Sequence, residues 1–245
     1  MRNYKMTIAY DGTRYQGWQR QSNTEETIQG ILERVIHDVI GYPVTIDGSG
    51  RTDGGVHAYG QVANVKLSGK VEKDTFRDAL NARLPEDIRV RSVELVRNGF
   101  HSRYSAKAKR YEYVVDIREK PDVFTRKYCY HVTEPLDVTA MRKAASFLTG
   151  THDFGGFTDK KDEKSTVRTI YQIGIEEEKG KLRFSFYGNG FMYHMVRILT
   201  GTLLEVGSGK KHPEDVKKIL RTKERKEAGF LVPAMGLCLK EVIYE

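Results

Sequence analysis

The sequence predicts an α+β protein made of two related layers, each of antiparallel-type strands with two helices. Three observations carry this. Segments of alternating hydrophobicity interleave with segments of helical period in both halves, the pattern restarts near residues 99 to 108, and one glycine-rich loop interrupts the first half. A chain of 245 residues can bury one large core or two fused halves of about 100 to 130 residues each. The halves are expected at residues 1–103 and 104–245, without a letter-by-letter repeat.

The first element is the strand in KMTIAYDG, where Met6, Ile8 and Tyr10 alternate with Thr7 and Ala9 before the turn at Asp11-Gly12. From Ile28, apolar residues recur at Ile31, Leu32, Val35, Ile36, Val39 and Ile40, a helical stripe that Gly41 and Pro43 stop. Val44-Thr45-Ile46 reads as a short strand and QVANVKL as a longer one, with the glycine-rich loop between them. A helix bearing Phe76, Ala79, Leu80 and Leu84 is expected to end at Pro85. The strand IRVRSVELV follows, with Ile88, Val90, Val93 and Leu95 as its apolar residues.

The second half opens on the strand KRYEYVVDI. Asp137 then caps a helix with Met141, Ala144, Ala145 and Leu148 on its apolar face, ended by Gly150. A polar loop is expected at residues 158 to 166, then a hairpin of TIYQIGIEEE and KLRFSFYGNG turning near Lys179-Gly180. FMYHMVRILTGTLLEVG reads as an amphipathic helix; a last helix and the strand GLCLKEVIYE close the chain.

Composition narrows the class. Hydrophobic residues at 39%, charged at 30% and aromatic at 10% describe a chain that folds and stays in water. The apolar runs at residues 28 to 40 and 195 to 206 carry charges and fall short of the about 20 residues a membrane helix needs. The N-terminus reaches a strand pattern at once, leaving no room for a secretory signal, so a cytoplasmic location is expected. Cys129 and Cys238, the only cysteines, are too few and too far apart for a disulfide framework or sulfur-rich zinc site. A net charge of +8, with basic residues among tyrosines in RYSAKAKR and the KYCYH stretch, suits a polyanion with stackable bases. The alternative is a solvated basic surface, of which LRTKERKEAG reads as a helix face.

The chemistry concentrates in GSGRTDGGVH. Asp53 is flanked by Thr52 and by Gly54-Gly55, with Arg51 two residues before it, so a mobile or φ-positive backbone presents an acid beside a cation. The segment matches neither G-x-x-x-x-G-K-[ST] nor G-x-G-x-x-G, which argues against a nucleotide cofactor. Two readings of the residues stand side by side. Asp53 is a ligand-facing acid, or Gly48, Gly50, Gly54 and Gly55 shape a turn in which Asp53 bonds its own backbone.

GSGRTDGGVHA resembles the GRTDxGVH signature of the TruA-type tRNA pseudouridine synthases. The resemblance runs along nearly the whole chain, through YDGTRYQGWQRQ, NARLPEDI, FHSRYSAKAKRYEY, GTHDF, TVRTI and GNGFMYHMVRILTGTLLEVG. Ser102 and Tyr104 depart conservatively from the FHARFSA-like form of many relatives. The resemblance implies a pseudouridine synthase fold: two ferredoxin-like halves whose antiparallel or mixed sheets join, with a central basic cleft. It implies a homodimer that grips tRNA and isomerises uridine to pseudouridine at positions 38, 39 and 40 of the anticodon stem-loop, with no metal, cofactor or nucleotide.

It also implies roles. The bond from C1′ to N1 must break and one from C1′ to C5 form without losing the uracil, which calls for a covalent or caged intermediate in a site closed to water. Asp53 matches the family's nucleophile. Whether it attacks C6, attacks C1′ or takes a proton on a glycal route, it must be ionised. A carboxylate withdrawn from water resists ionisation, and a cation within about 4 to 6 Å lowers its pKa by roughly 1 to 3 pH units. By resemblance that cation is Arg197. It lies between Val196 and Ile198 on a largely apolar helix, where an unpaired guanidinium is costly, the alternative being a surface or interhelix salt bridge. Tyr111 matches the substrate-contacting tyrosine, while Tyr113, on the same strand face, is left to the core. Arg51 is assigned to displacing the target base or holding the RNA backbone. Arg14, Arg20, Lys107, Lys109 and Arg110 are candidate phosphate contacts, needed because turning a base out of a stem-loop costs a few kcal/mol.

Seven histidines form no paired ligand spacing, so His57, His101, His152 and His194 are read as structural or RNA-contacting and no metal is expected. Two rivals remain: a non-catalytic tRNA-binding protein or folding chaperone on the same scaffold, and a glycoside or nucleoside hydrolase with an acid and base pair.

Overall fold

The structure, a computed structural model, describes residues 1–160 and 165–245. It divides into two compact units, residues 1–107 with 238–245, and residues 108–237. The last strand therefore returns to the first unit, whereas the linear division at residues 103 and 104 leaves it with the second.

In the first unit, strand β1 (Arg2–Tyr10) leads into helix α1 (Ile28–Ile40), followed by strands β2 (Ile46–Gly48) and β3 (His57–Leu67), helix α2 (Lys73–Asn81) and strand β4 (Ile88–Val96). The sheet runs β4-β1-β3 with β2 beyond β3, the strand order of a ferredoxin-like β-α-β-β-α-β unit. Strand β10 (Leu237–Ile243) lies along the other end of β3, in parallel, through Cys238↔His57 and Leu239↔Ala58. Tyr4, Met6, Ile8 and Tyr10 of β1 are buried, as the alternation requires.

Helix α1 matches its sequence pattern at both ends. Thr27 caps it, its hydroxyl accepting from the Gly30 N–H at 3.2 Å. Gly41 ends it with φ +85°, a conformation that glycine adopts without strain. Strand β2 starts later than Val44-Thr45-Ile46 suggested, because α1 takes hold of Ile46: Glu33 accepts its N–H at 3.0 Å and the Gln29 amide donates to its carbonyl at 3.3 Å. Helix α2 stops before Leu84, since the Asn81 side chain exchanges two 2.9 Å hydrogen bonds with the backbone of Val90. A bulge in the β1–β4 pairing, where Thr7 faces Ser92 but Ile8 faces Val90, brings both Val90 and Val93 inward. Leu95 is instead 51% exposed.

The second unit holds strand β5 (Ala108–Asp116), strand β6 (Tyr130–His131), helix α3 (Val138–Leu148), strands β7 (Gly150–Asp153), β8 (Val167–Glu178) and β9 (Lys181–Gly188), and helices α4 (Met195–Gly207) and α5 (Asp215–Thr222). Its sheet runs β5-β9-β8-β7, with β6 parallel to β5. Asp137 caps α3 by accepting the Ala140 N–H at 2.9 Å. The β8–β9 hairpin turns at Lys179 (φ 51°) and Gly180 (φ 72°), the two positive φ values of a type I′ turn. Of the polar loop expected at 158 to 166, residues 161–164 lie outside the described residues.

Two expectations are corrected here. Helix α4 begins at Met195 rather than Phe191, and it is buried almost all round instead of amphipathic; the hydroxyls of Thr200 and Thr202 are satisfied by the carbonyls of Val196 and Ile198, each at 2.8 Å. LRTKERKEAG is not one helix face, because Lys223 in a left-handed conformation ends α5 and a single 3-10 turn follows at Arg225–Glu227. Among the described residues, no helix is long and apolar enough to cross a membrane.

Candidate active site

Asp53 sits in the loop joining β2 to β3, and the loop is fixed on both sides of it. On the near side, the buried Gln61 side chain accepts from the Ser49 hydroxyl at 2.7 Å and donates to the Gly50 carbonyl at 3.0 Å. Thr52 is 7% exposed, its hydroxyl 2.8 Å from that of Tyr10. Its carbonyl accepts the Trp18 N–H at 3.0 Å. On the far side, the Gly55 N–H donates to the Tyr15 carbonyl at 3.2 Å, and the Val56 N–H closes a turn on the Asp53 carbonyl at 3.2 Å. Asp53 itself is half-buried between these anchors.

The tether is the segment Gly12 to Trp18, part of the YDGTRYQGWQRQ motif, and it approaches the loop backbone to backbone. A Cβ on Gly12 would lie 2.0 Å from the Val56 carbonyl oxygen, and one on Gly17, at φ +92°, 2.6 Å from that of Thr52. Trp18, the single tryptophan, is buried with its indole against Gly48, where a Cβ would fall 2.4 Å from Nε1. Of the loop's glycines only Gly55 takes a positive φ, +79°. Gly12, Gly17 and Gly48 therefore serve close packing, and a packed, pinned loop holds a reacting group in one geometry. Sequence reasoning saw the motif at Gly12 to Trp18 but not this role; nothing local in the letters pairs Trp18 with Thr52.

Arg51 is exposed, its Nε donating to the Gln19 amide oxygen at 3.2 Å. Gln19 donates to Gln29 at 2.7 Å, and Gln29 to the buried Glu33 at 3.0 Å. Arg20 closes this network with a 2.9 Å ion pair to Glu33. Arg14 pairs with Asp87 at 2.7 Å and donates to the Tyr15 hydroxyl at 3.0 Å. Burial, and then the bond to Asp87, push the Tyr15 hydroxyl up to about 12. Lys107 is exposed, its N–H donating to the Ile243 carbonyl at 2.8 Å.

The second unit carries Lys109, Arg110, Tyr111 and Arg197. Tyr111 is 8% exposed on β5, opposite Phe186 in register and edge-on to Phe191 with ring centroids 5.3 Å apart. Tyr113, two residues on, is fully buried and donates its hydroxyl to the Pro233 carbonyl at 2.7 Å; burial raises its pKa, and the charge of Arg197 pulls the other way. Arg197 is half-buried in the first turn of α4, its Nε donating to the Val232 carbonyl at 2.8 Å. A cation there opposes the positive end of the helix dipole, an arrangement that lowers stability and so points to a functional demand. The Arg110 guanidinium lies over the Tyr187 ring at 4.7 Å.

Comparisons with known proteins agree with one another. A family model described as tRNA pseudouridine synthase matches residues 6–105 and 144–245. Among curated relatives, a tRNA pseudouridine synthase A of Bacillus sp. (strain KSM-64) is 47% identical over 245 residues, 100% of each chain. Proteins of the same name from Acetivibrio thermocellus (44% identical, 100% of each chain) and Geobacillus sp. (strain WCH70) (45%, 98% of each chain) are similar along their length.

Proposed function

We propose, from the premise that this chain belongs to the tRNA pseudouridine synthase family, that Asp53 is the nucleophile with which it turns uridine into pseudouridine. The enzyme is an isomerase acting on tRNA. The observation that carries the role of Asp53 is its place in GRTDGGVH, half-buried and pinned on both flanks by the Gly12 to Trp18 segment. A carboxylate so held can meet the detached or attacked uridine without reorganising, which is where much of the rate of such a reaction originates.

Arg197 is the cation that keeps the carboxylate ionised away from water, and Tyr111 contacts the target uracil, its hydroxyl assisting proton removal at C5. Arg51 helps displace the base or holds the RNA backbone. Lys107, Lys109 and Arg110, with Arg14 and Arg20, supply phosphate contacts. The anticodon stem-loop as target, a homodimer as the working form and a cytoplasmic location extend this reading and are supported by the resemblance of the motifs.

The deciding experiment is Asp53→Asn, assayed on tRNA carrying uridine tritiated at C5. Binding of tRNA should persist while tritium release stops. Continued release removes Asp53 from its role, and free uracil as the product of the unaltered enzyme would instead favour a hydrolase.

A further inference from the structure

Three departures from stability-first design meet at the start of α4. His194, the N-cap, holds φ +63°, a left-handed conformation that costs a non-glycine residue about 1 kcal/mol. Its side chain makes no capping hydrogen bond to the helix, although an N-cap side chain ordinarily accepts one from the first turn. And the third helical residue is Arg197, a cation at the positive end of the helix.

The His194 imidazole is turned instead to Asp159. Nδ1 lies 2.6 Å from the carboxylate Oδ2, and since a carboxylate only accepts, Nδ1 carries the proton. The other oxygen, Oδ1, accepts from Arg225 Nε at 2.7 Å, and Arg225 Nη1 donates to the Gly229 carbonyl at 2.9 Å. Burial raises the Asp159 pKa, but the bonds from His194 and Arg225 outweigh it, and the net shift is downward. The same segment then runs along α4. The Gly229 N–H donates to the Thr202 hydroxyl at 2.8 Å, a Cβ on Gly201 would fall 1.9 Å from the Phe230 carbonyl oxygen, and Val232 accepts from Arg197.

Thus one stretch, Arg225 to Val232, holds α4 at its N-cap through Asp159, at its middle through Gly201 and Thr202, and at the Arg197 guanidinium itself. With Nε committed to Val232, the direction of the remaining guanidinium N–H groups follows from where the first turn of α4 sits. The Asp159 side chain is 32% exposed, and ion pairs so open to water add little to stability. Geometry, not folding energy, is what this chain of contacts provides.

We infer, resting on the role proposed above for Arg197, that His194, Asp159 and Arg225 are positioning residues that set the Arg197 guanidinium for the reaction. None of the three touches the reacting atoms in this assignment; they act through the first turn of α4.

The test is a pair of substitutions read by tritium release from C5-labelled tRNA, with thermal unfolding alongside. His194→Gly removes the tether while glycine accepts the left-handed backbone, so Tm should hold; Asp159→Asn removes the charge that joins His194 to Arg225. In each, kcat should fall about 10- to 100-fold, the effect of a small misplacement of a reacting group, with KM within about twofold. Arg197→Lys supplies the reference, and adding His194→Gly to it should lower kcat by less than about twofold, since the positioned group is already gone. Full kcat in His194→Gly, or an undiminished loss in the Arg197→Lys background, overturns the positioning role while leaving Arg197 in place. Full turnover in Arg197→Lys itself also overturns the positioning role, because an ammonium without the guanidinium fork then serves as well, while the need for a cation at this place stands.

Discussion

The Trp18 N–H donates to the carbonyl of Thr52 at 3.0 Å, so the residue before Asp53 is placed by a segment far earlier in the chain. Gly17 makes this contact possible. Its φ of +92° and the 2.6 Å approach of a Cβ to the Thr52 oxygen leave no room for a side chain, and the obstructing atom is backbone. Gly17→Ala should therefore cost at least about 2 kcal/mol, combining left-handed strain with displacement of the loop. Turnover per folded molecule should fall with it. Thermal unfolding and tritium release measured together check both, and an unchanged variant would mean that the loop position is not set by Gly17.

The other hold on Thr52 is its hydroxyl, 2.8 Å from that of the buried Tyr10. Thr52→Val keeps the shape and, among the described residues, leaves the Tyr10 hydroxyl with the Gln61 amide at 3.5 Å. The expected loss is about 1 to 2 kcal/mol, a fall in Tm of about 2 to 8 °C. Thr52→Ser, which retains the hydroxyl, should recover most of it.

These anchors show where the sequence was legible. Helix α1 was readable at both ends because everything that makes it is local: the apolar stripe from Ile28, and Gly41 where φ turns positive. Asp53 stood out through its glycines, but letters nearby do not distinguish a turn from a pinned acid. The difference lies in Tyr10, Tyr15 and Trp18, whose contacts with the loop are long-range. Helix α4 looked amphipathic because Arg197, Gly201 and Glu205 recur four apart among apolar residues, whereas Thr200 and Thr202 bond back to the helix and Gly201 admits another backbone. Strand β10 pairs with β3 in parallel, and no pattern within its own residues announces the partner.

Asp116 should control the acid limit of stability in the second unit. Its buried carboxylate takes the Arg118 side chain through Nε at 2.8 Å, and the N–H groups of Arg118 and Asp122 at 3.1 and 3.4 Å. The Arg118 bond, against burial, holds its carboxyl well below the ordinary range. A carboxyl lowered on folding adds stability above its unfolded pKa, about 3.9, and loses it as pH falls from there toward the folded value. Asp116→Asn should be less stable at pH 7 by about 2 to 3 kcal/mol, at the low end for a broken buried pair because Arg118 is partly exposed. The gap in Tm between the two proteins should narrow below pH 4. A gap constant from pH 7 to pH 2 would refute the assignment.

Tyr111→Phe separates the ring from the hydroxyl. The ring packs edge-on to Phe191 and would do so unchanged without the oxygen, so tRNA binding should stay within about twofold. If the hydroxyl assists proton removal at C5, turnover should drop by about 100-fold, the lower range for a positioned acid or base. Undiminished tritium release would leave Tyr111 with stacking alone.

The basic residues are not equivalent as RNA contacts. Arg20 is already paired with buried Glu33 and Arg14 with Asp87, so giving up those partners for a phosphate offsets part of the gain. Lys107 is exposed at the end of the first unit's main segment. Each phosphate neutralised should add about 0.7 to 0.9 to the slope of log affinity against log salt concentration. Lys107→Gln should thus flatten that slope by nearly the whole amount. Arg20→Gln should flatten it less but lower Tm, since it strips the guanidinium from a buried carboxylate. Titrating tRNA binding at several salt concentrations distinguishes them. Equal slopes for Lys107→Gln and the unaltered protein would remove Lys107 from the RNA surface.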